Sequence, residues 1–145
     1  MRFTTNIVTT GLVAIHLAAA MWHGNAHIQL AIALPFAKSA FVYIVILIAP
    51  LVAAALVWSR YFLVGVWVFL LSMLGAFLFG AYHHYVLVSP DHIGHLPSGS
   101  AEAHTAFIAS AGVIALLELA SALYGAFCLG SLLRTPATLR GIPKA

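Results

Sequence analysis

Charge is what this sequence has least of. Six Lys and Arg and three Asp and Glu make up 6% of 145 residues, against 63% hydrophobic. A soluble domain carries roughly 25% charge, so these few side chains cannot coat a particle dissolved in water. That excludes an ordinary globular enzyme and a disordered segment. The basic residues Arg2, Lys38, Arg60, Arg134, Arg140 and Lys144 stand singly, which leaves no basic patch and excludes nucleic acid as a partner. Cysteine is nearly missing as well. Cys128 alone excludes an internal disulfide and a cysteine-rich metal centre. Against these gaps stand eight histidines, more than twice the three acidic residues. Composition points to a membrane, and histidine is the residue type that carries chemistry.

A bilayer core of about 30 Å needs roughly 20 apolar residues per helix. Four stretches qualify: 7–34, 39–58, 61–88 and 104–133. They predict one all-α domain over 1–145, an integral membrane four-helix bundle with a loop over 89–103. The breaks are local. Pro35 disfavours helix in the residue before it, Ser59-Arg60 makes a tight turn, Ser89-Pro90-Asp91 ends the third span, and Pro136 follows the fourth. A secretory signal fits Arg2, the apolar run and Ala18-Ala19-Ala20, but the run continues past Trp22 and is too long for a signal core, which favours a true span. Basic residues cluster on the cytoplasmic side of spans. Arg2, Arg60, Arg134, Arg140 and Lys144 share one side, and only Lys38 falls opposite. Both termini are therefore expected in the cytoplasm, with the 89–103 loop outside. The expected setting is an inner (plasma) membrane, multi-pass, with the lipid bilayer as solvent and a homo-oligomer or a larger membrane complex as the natural assembly for so small a chain.

That topology puts His23, His27, His83, His84, His92, His95 and His104 at or near the outer face and His16 near mid-membrane. On a helix turning about 100° per residue, His16, His23 and His27 fall within about 20° of one line, with Thr9 on it too. His23 and His27 have the i, i+4 spacing that lets two imidazoles chelate one ion. His104 and Glu118 lie within about 40° of each other on the fourth helix. Ser72, Ala76 and Gly80 make a small-residue stripe of the kind that lets helices approach, and His84 is the next i+4 step along it. Glu118 is the one acid inside a span, and a buried ionisable group in a membrane is a functional hypothesis by default. Paired with His16 it could carry a proton, so Glu118 and His16 are the catalytic candidates.

Any one interfacial histidine is more often a snorkelling or hydrogen-bonding residue than a ligand. Cys128 and the small-residue stripe read most simply as packing, and Pro50 as a kink. Convergence of seven histidines on one side is what those readings leave unexplained. A ligand set rich in histidine and free of cysteine suits Cu, Fe or Zn and argues against Ca and Mg. The metal candidates are His23, His27, His83, His84, His92, His95, His104 and Asp91. Such a site in a membrane suggests a redox enzyme or redox subunit; metal acquisition, sensing and a purely structural subunit are the alternatives. Helical membrane bundles also hold b-type haem between histidines, for which His16 or His23 with His83, His84 or His104 would be the axial ligands. The absence of C-x-x-C-H makes any such haem non-covalent.

His23-x-x-x-His27, His83-His84 and His92-x-x-His95 resemble the histidine boxes of the membrane desaturase and hydroxylase superfamily. The resemblance covers those stretches alone and implies a di-iron centre. No complete H-x-x-H-H box is present and the order of the boxes differs. The Glu-x-x-His pair of di-iron bundles is absent.

Overall fold

In a computed structural model, which describes residues 2–134, the local signals set where each helix stops. The first helix, α1, runs Arg2–Gln29. It begins earlier and ends sooner than hydropathy suggests, because chain closure ends it. Ala31 adopts φ 51°, its N–H donates to the Ile28 carbonyl, and the Ile32 N–H donates to the His27 carbonyl. This pair of bonds is the Schellman closure, usually built on glycine.

The second helix, α2, runs Phe36–Val57 and starts directly after Pro35. Its middle, Val42–Ile48, is π-helical, with the Ala49 N–H bonded to the Ile44 carbonyl. Pro50 explains the widening. Proline has no N–H to offer the carbonyl of residue 46, and its ring would press on it. An i→i+5 segment just before the proline relieves that clash, and such segments recur at functional sites. The kink expected at Pro50 is thus expressed as a π segment.

The third helix, α3, is Phe62–Tyr85. It packs so close to α2 that a Cβ at Gly65 would stand 2.7 Å from the Val57 backbone nitrogen. Only glycine fits there. The fourth, α4, is Ala101–Arg134, capped by the Ser100 hydroxyl, which accepts from the Ala103 N–H. All four helices are long and apolar enough to cross a bilayer. No strand occurs among the described residues.

The helices alternate in direction. α4 packs against both α1 and α3, and α3 against α2. α1 meets α2 mainly through the second half of α2, where the Trp58 indole donates to Thr10, Phe3 meets the Trp58 ring edge-on, and the Arg2 guanidinium donates to the Ser59 carbonyl. Towards the 86–100 loop the two helices diverge. Arg2, Arg60 and Arg134 therefore collect at the end opposite that loop; Arg140 and Lys144 lie outside the described residues. Apolar clusters fill three levels. Val57, Val66, Cys128 and Leu129 lie near the arginines, Val13, Ala53, Phe69, Met73 and Ala122 in the middle, and Ala26, Leu30, Ala103 and Phe107 under the loop. Cys128 packs as a small apolar side chain, as expected. Between the middle and upper levels the core is polar.

Candidate metal centre

α1 brings Thr9, His16 and His23 to the interior together, as their shared line along the helix requires. His23 and His27 are one turn apart, with ring centroids 4.7 Å apart. α3 supplies His84 from its last turn. The three Nε2 atoms converge. His23 Nε2 lies 3.1 Å from His84 Nε2 and 3.1 Å from His27 Nε2, and all three ligand atoms fall within 4.8 Å of one another. Tetrahedral imidazole ligands at 2.0–2.1 Å from an ion stand about 3.3 Å apart, close to the two 3.1 Å separations from His23, so the triad is within reach of one ion.

The hydrogen-bond network gives both inner rings an oxygen partner for Nδ1. The Ser110 hydroxyl donates to the Phe107 carbonyl at 3.1 Å. With its proton on that carbonyl, the hydroxyl oxygen, 2.9 Å from His23 Nδ1, is free to accept from Nδ1–H. Likewise His84 Nδ1–H donates to the Asp91 carbonyl oxygen at 2.9 Å. With both rings neutral and protonated on Nδ1, the Nε2 atoms of the 3.1 Å contact present lone pairs to each other. Two lone pairs at that distance repel unless a proton or a cation stands between them.

The 86–100 loop closes over this point. The Ile93 N–H donates to the His84 carbonyl, and Ile93 and Leu96 pack on the apolar cluster below. The closure drives the Asp91 side chain inward, to 4% exposure. Its Oδ1 lies 3.2 Å from His27 Nε2 and 3.3 Å from His84 Nδ1, close enough for ion pairing but out of line for a hydrogen bond. Burial alone would raise its carboxyl; the adjacent His84, with His27 and His23, outweighs that and holds it below the usual carboxylate range. A buried carboxylate needs a compensating positive charge. Among the described residues, histidines are its ion-pair partners.

Phe107, fully buried, lies against all three imidazoles, with centroid distances of 4.9, 5.0 and 5.4 Å to His23, His27 and His84. Phe107 and Ser110 are the site residues that sequence reasoning missed. An unremarkable Phe-x-x-Ser pair on an apolar helix carries no signal until its partner face is known.

The other histidines are engaged elsewhere. His83 Nδ1 donates to the Phe79 carbonyl of its own helix at 2.9 Å, and its ring packs on Phe79 and Tyr82. His104 Nε2 donates to the Pro97 carbonyl at 2.8 Å. His92 and His95 face each other in the loop with Nδ1 atoms 3.1 Å apart. The Gly94 N–H donates to His92 Nδ1, so that pair is a local turn contact. The structure thus brings together His23, His27, His84 and Asp91, and places His83, His92, His95 and His104 outside the triad.

Deeper in the bundle, His16 Nε2 and Glu118 Oε1 pair across α1 and α4 at 3.1 Å. His16 is fully buried and Glu118 nearly so, as the sequence reading expected of a mid-membrane pair. The other carboxylate oxygen, Oε2, is turned toward Gly80; a Cβ there would stand 3.8 Å from both Oε2 and His84 Cδ2. Gly80 and Ala76 line a cavity of about 530 Å³ that reaches His23, His27, His84, Asp91 and Glu118.

Fold and site together define a class: four helices able to span a membrane, with a histidine triad able to hold one metal ion. No protein-family model, curated protein or solved structure matches this chain.

Proposed function

We propose that this chain is an integral membrane metalloprotein that holds one late first-row transition-metal ion on His23, His27 and His84, and that it works as a redox enzyme or as the redox subunit of one. The observation that carries the reading is the convergence of the His23, His27 and His84 ligand atoms within 4.8 Å of one another, with His23 Nδ1 on the Ser110 hydroxyl and His84 Nδ1 on the Asp91 carbonyl. A cation bound there takes the Nε2 lone pairs and balances the Asp91 charge at once. The donor set of imidazole and carboxylate suits copper, iron or zinc. The geometry favours a bare ion over haem, since axial imidazole nitrogens across a porphyrin iron stand about 4 Å apart with a macrocycle between them. When bound, a copper or iron ion supplies one-electron redox chemistry and Lewis acidity.

The chain's own groups do the rest. Ser110 and the Asp91 carbonyl support Nδ1 of His23 and His84, and the Asp91 carboxylate beside His84 Nδ1 raises the basicity of that ring, the usual support for a ligating histidine. Phe107 keeps water from one side of the triad. Glu118 and His16 hold a proton between Oε1 and Nε2, where it can be passed toward the cavity. With Arg2, Arg60 and Arg134 at the opposite end, the bias of basic residues toward the cytoplasm argues for a triad on the outer side of a plasma membrane.

The test is metal analysis with an absorption spectrum of protein purified without added metal. About one equivalent of copper, iron or zinc, no Soret band, and loss of the ion in His23→Ala and His84→Ala are expected. A Soret band transfers the site to haem. Metal no higher in the wild type than in a variant lacking all three histidines overturns the reading.

A further inference from the structure

The cavity beside the triad has a shape the metal alone does not require. Its body is apolar, formed by Ala20 and Gly24 of α1, Ile46 and Leu47 of the π segment, and Ala76 and Phe79 of α3. Its far end carries the triad and Glu118. Its near end opens where α1 and the first half of α2 part. Met21, Ile28 and Tyr43 line it there, yet they remain 75%, 78% and 62% exposed. In helices that cross a bilayer such residues face lipid, so the mouth is lateral. A cavity of about 530 Å³ lies within the range that takes small ligands. The π segment of α2 and the small residues Gly24, Ala76 and Gly80 hold the space open.

We propose that this cleft admits, from the bilayer, a small apolar molecule bearing a hydroxyl group, and that this molecule is the substrate of the site. The proposal rests on the metal reading for the word substrate, and on the cleft alone for binding. The apolar walls take the body of the ligand, and a lateral mouth selects molecules dissolved in lipid over those dissolved in water. At the closed end Glu118 Oε2 stands on the cavity wall as a hydrogen-bond acceptor, which calls for a donor. Asp91 and Glu118 together disfavour an anionic head. A neutral hydroxyl satisfies both conditions: it donates to Glu118 and offers its oxygen lone pairs toward the triad. Phenols, quinols and long-chain alcohols share that chemistry. A plain acyl chain does not.

Gly24 provides the variant. A Cβ at Gly24 meets nothing within 4 Å and Gly24 lines the cavity, so Gly24→Phe adds a ring to the wall of the cleft at a position where the backbone has room for a side chain. Gly11, on the same helix, is equally unobstructed and does not line the cavity, so Gly11→Phe is the matched control. The full chain in lipid nanodiscs is labelled with a diazirine-bearing alkylphenol, the labelled residues are mapped by mass spectrometry, and metal content is measured on the same samples. Labelling on residues 20–34 and 39–47 is expected, lost in Gly24→Phe and retained in Gly11→Phe. Nonylphenol should compete about tenfold better than nonylbenzene, the worth of one buried hydrogen bond, and Glu118→Gln should narrow that margin. Equal competition by nonylbenzene makes the cleft a lipid-filled groove and overturns the proposal, as does labelling indifferent to Gly24→Phe. Metal retained without specific labelling sinks the cleft alone; specific labelling in protein that binds no metal sinks the metal reading alone.

Discussion

Ser110→Ala separates a metal site from a cluster of hydrogen-bonded histidines, because its cost falls on one state only. Ser110 is fully buried, and its hydroxyl lies 2.9 Å from His23 Nδ1, where it accepts the Nδ1 proton once Nε2 is given to a metal. Alanine removes the acceptor and changes little else, since the serine's own bond to the Phe107 carbonyl is a local helix contact. Without metal, His23 escapes by moving its proton to Nε2 and donating to His84 or His27, each 3.1 Å away. With metal bound it cannot. Nε2 is engaged, and the Nδ1 proton is left buried without a partner, at a cost of about 1–3 kcal/mol. That difference appears as metal affinity weakened by roughly 5- to 150-fold, in the range seen when support behind a ligating histidine is removed. Competition titration against a chelator of known affinity measures it. His23→Ala should abolish binding in the same assay, and Ser110→Thr should restore part of the loss. An affinity unchanged in Ser110→Ala refutes the tautomer argument, and His23 Nε2 as a ligand with it.

Three other outcomes are expected. His84→Ala should empty the site while His83→Ala leaves metal content unchanged, because His83 is bonded to its own helix; bound metal measured in both variants decides this. Acid should release the metal as pH falls through and below the ordinary imidazole value of about 6.5, with more than one proton taken up, since the ligating rings must be neutral. Asp91 does not set that window. Its pKa lies below the usual carboxylate range, so its contribution is present above about pH 4 and lost only as pH falls through its lower folded value; a release midpoint in the carboxylate range counts against histidine ligation. Ala31→Gly should raise thermal stability by up to about 1 kcal/mol, the left-handed strain of alanine less the entropy cost of glycine, and a lower melting temperature in detergent would contradict that account of how α1 ends.

The four helices were legible because length and hydropathy decide them, and the interior line of Thr9, His16 and His23 because spacing along a single helix is a property of the sequence. Their ends were less so. The Schellman closure at Ala31 uses a residue that advertises nothing, and α1 stops several residues before Pro35. Pro50 announced a disturbance, but its form as a π segment depends on how α2 packs. The choice of His84 over His83 turns on about 100° of rotation, which the small-residue stripe of Ser72, Ala76 and Gly80 indicated only because that stripe faces inward. Asp91 reaches the triad by the fold of a loop, and Ser110 and Phe107 by the register of α4 on α1. Neither is encoded in local spacing. His92, His95 and His104 satisfy local turns and caps, which composition alone cannot tell from ligation.

Register itself has an identifiable source. Helices that are apolar nearly all round bury no preferred hydrophobic face in lipid, so the apolar pattern cannot say which residues of α1 meet which of α4. Polar groups can, because each one left facing hydrocarbon is costly. His16 pairs with Glu118 and His23 with Ser110, so a seven-residue step up α1 is answered by an eight-residue step down α4. One antiparallel register satisfies both pairs. A slide of one helical turn, about 5.4 Å, would break both and leave a carboxylate and two imidazoles buried without partners. The same register carries Phe107 onto the triad and Ala26 and Leu30 onto Ala103 and Phe107. The polar residues that build the site therefore also align the two helices that carry it, which is why an acid and two histidines can persist deep inside a chain otherwise so poor in charge.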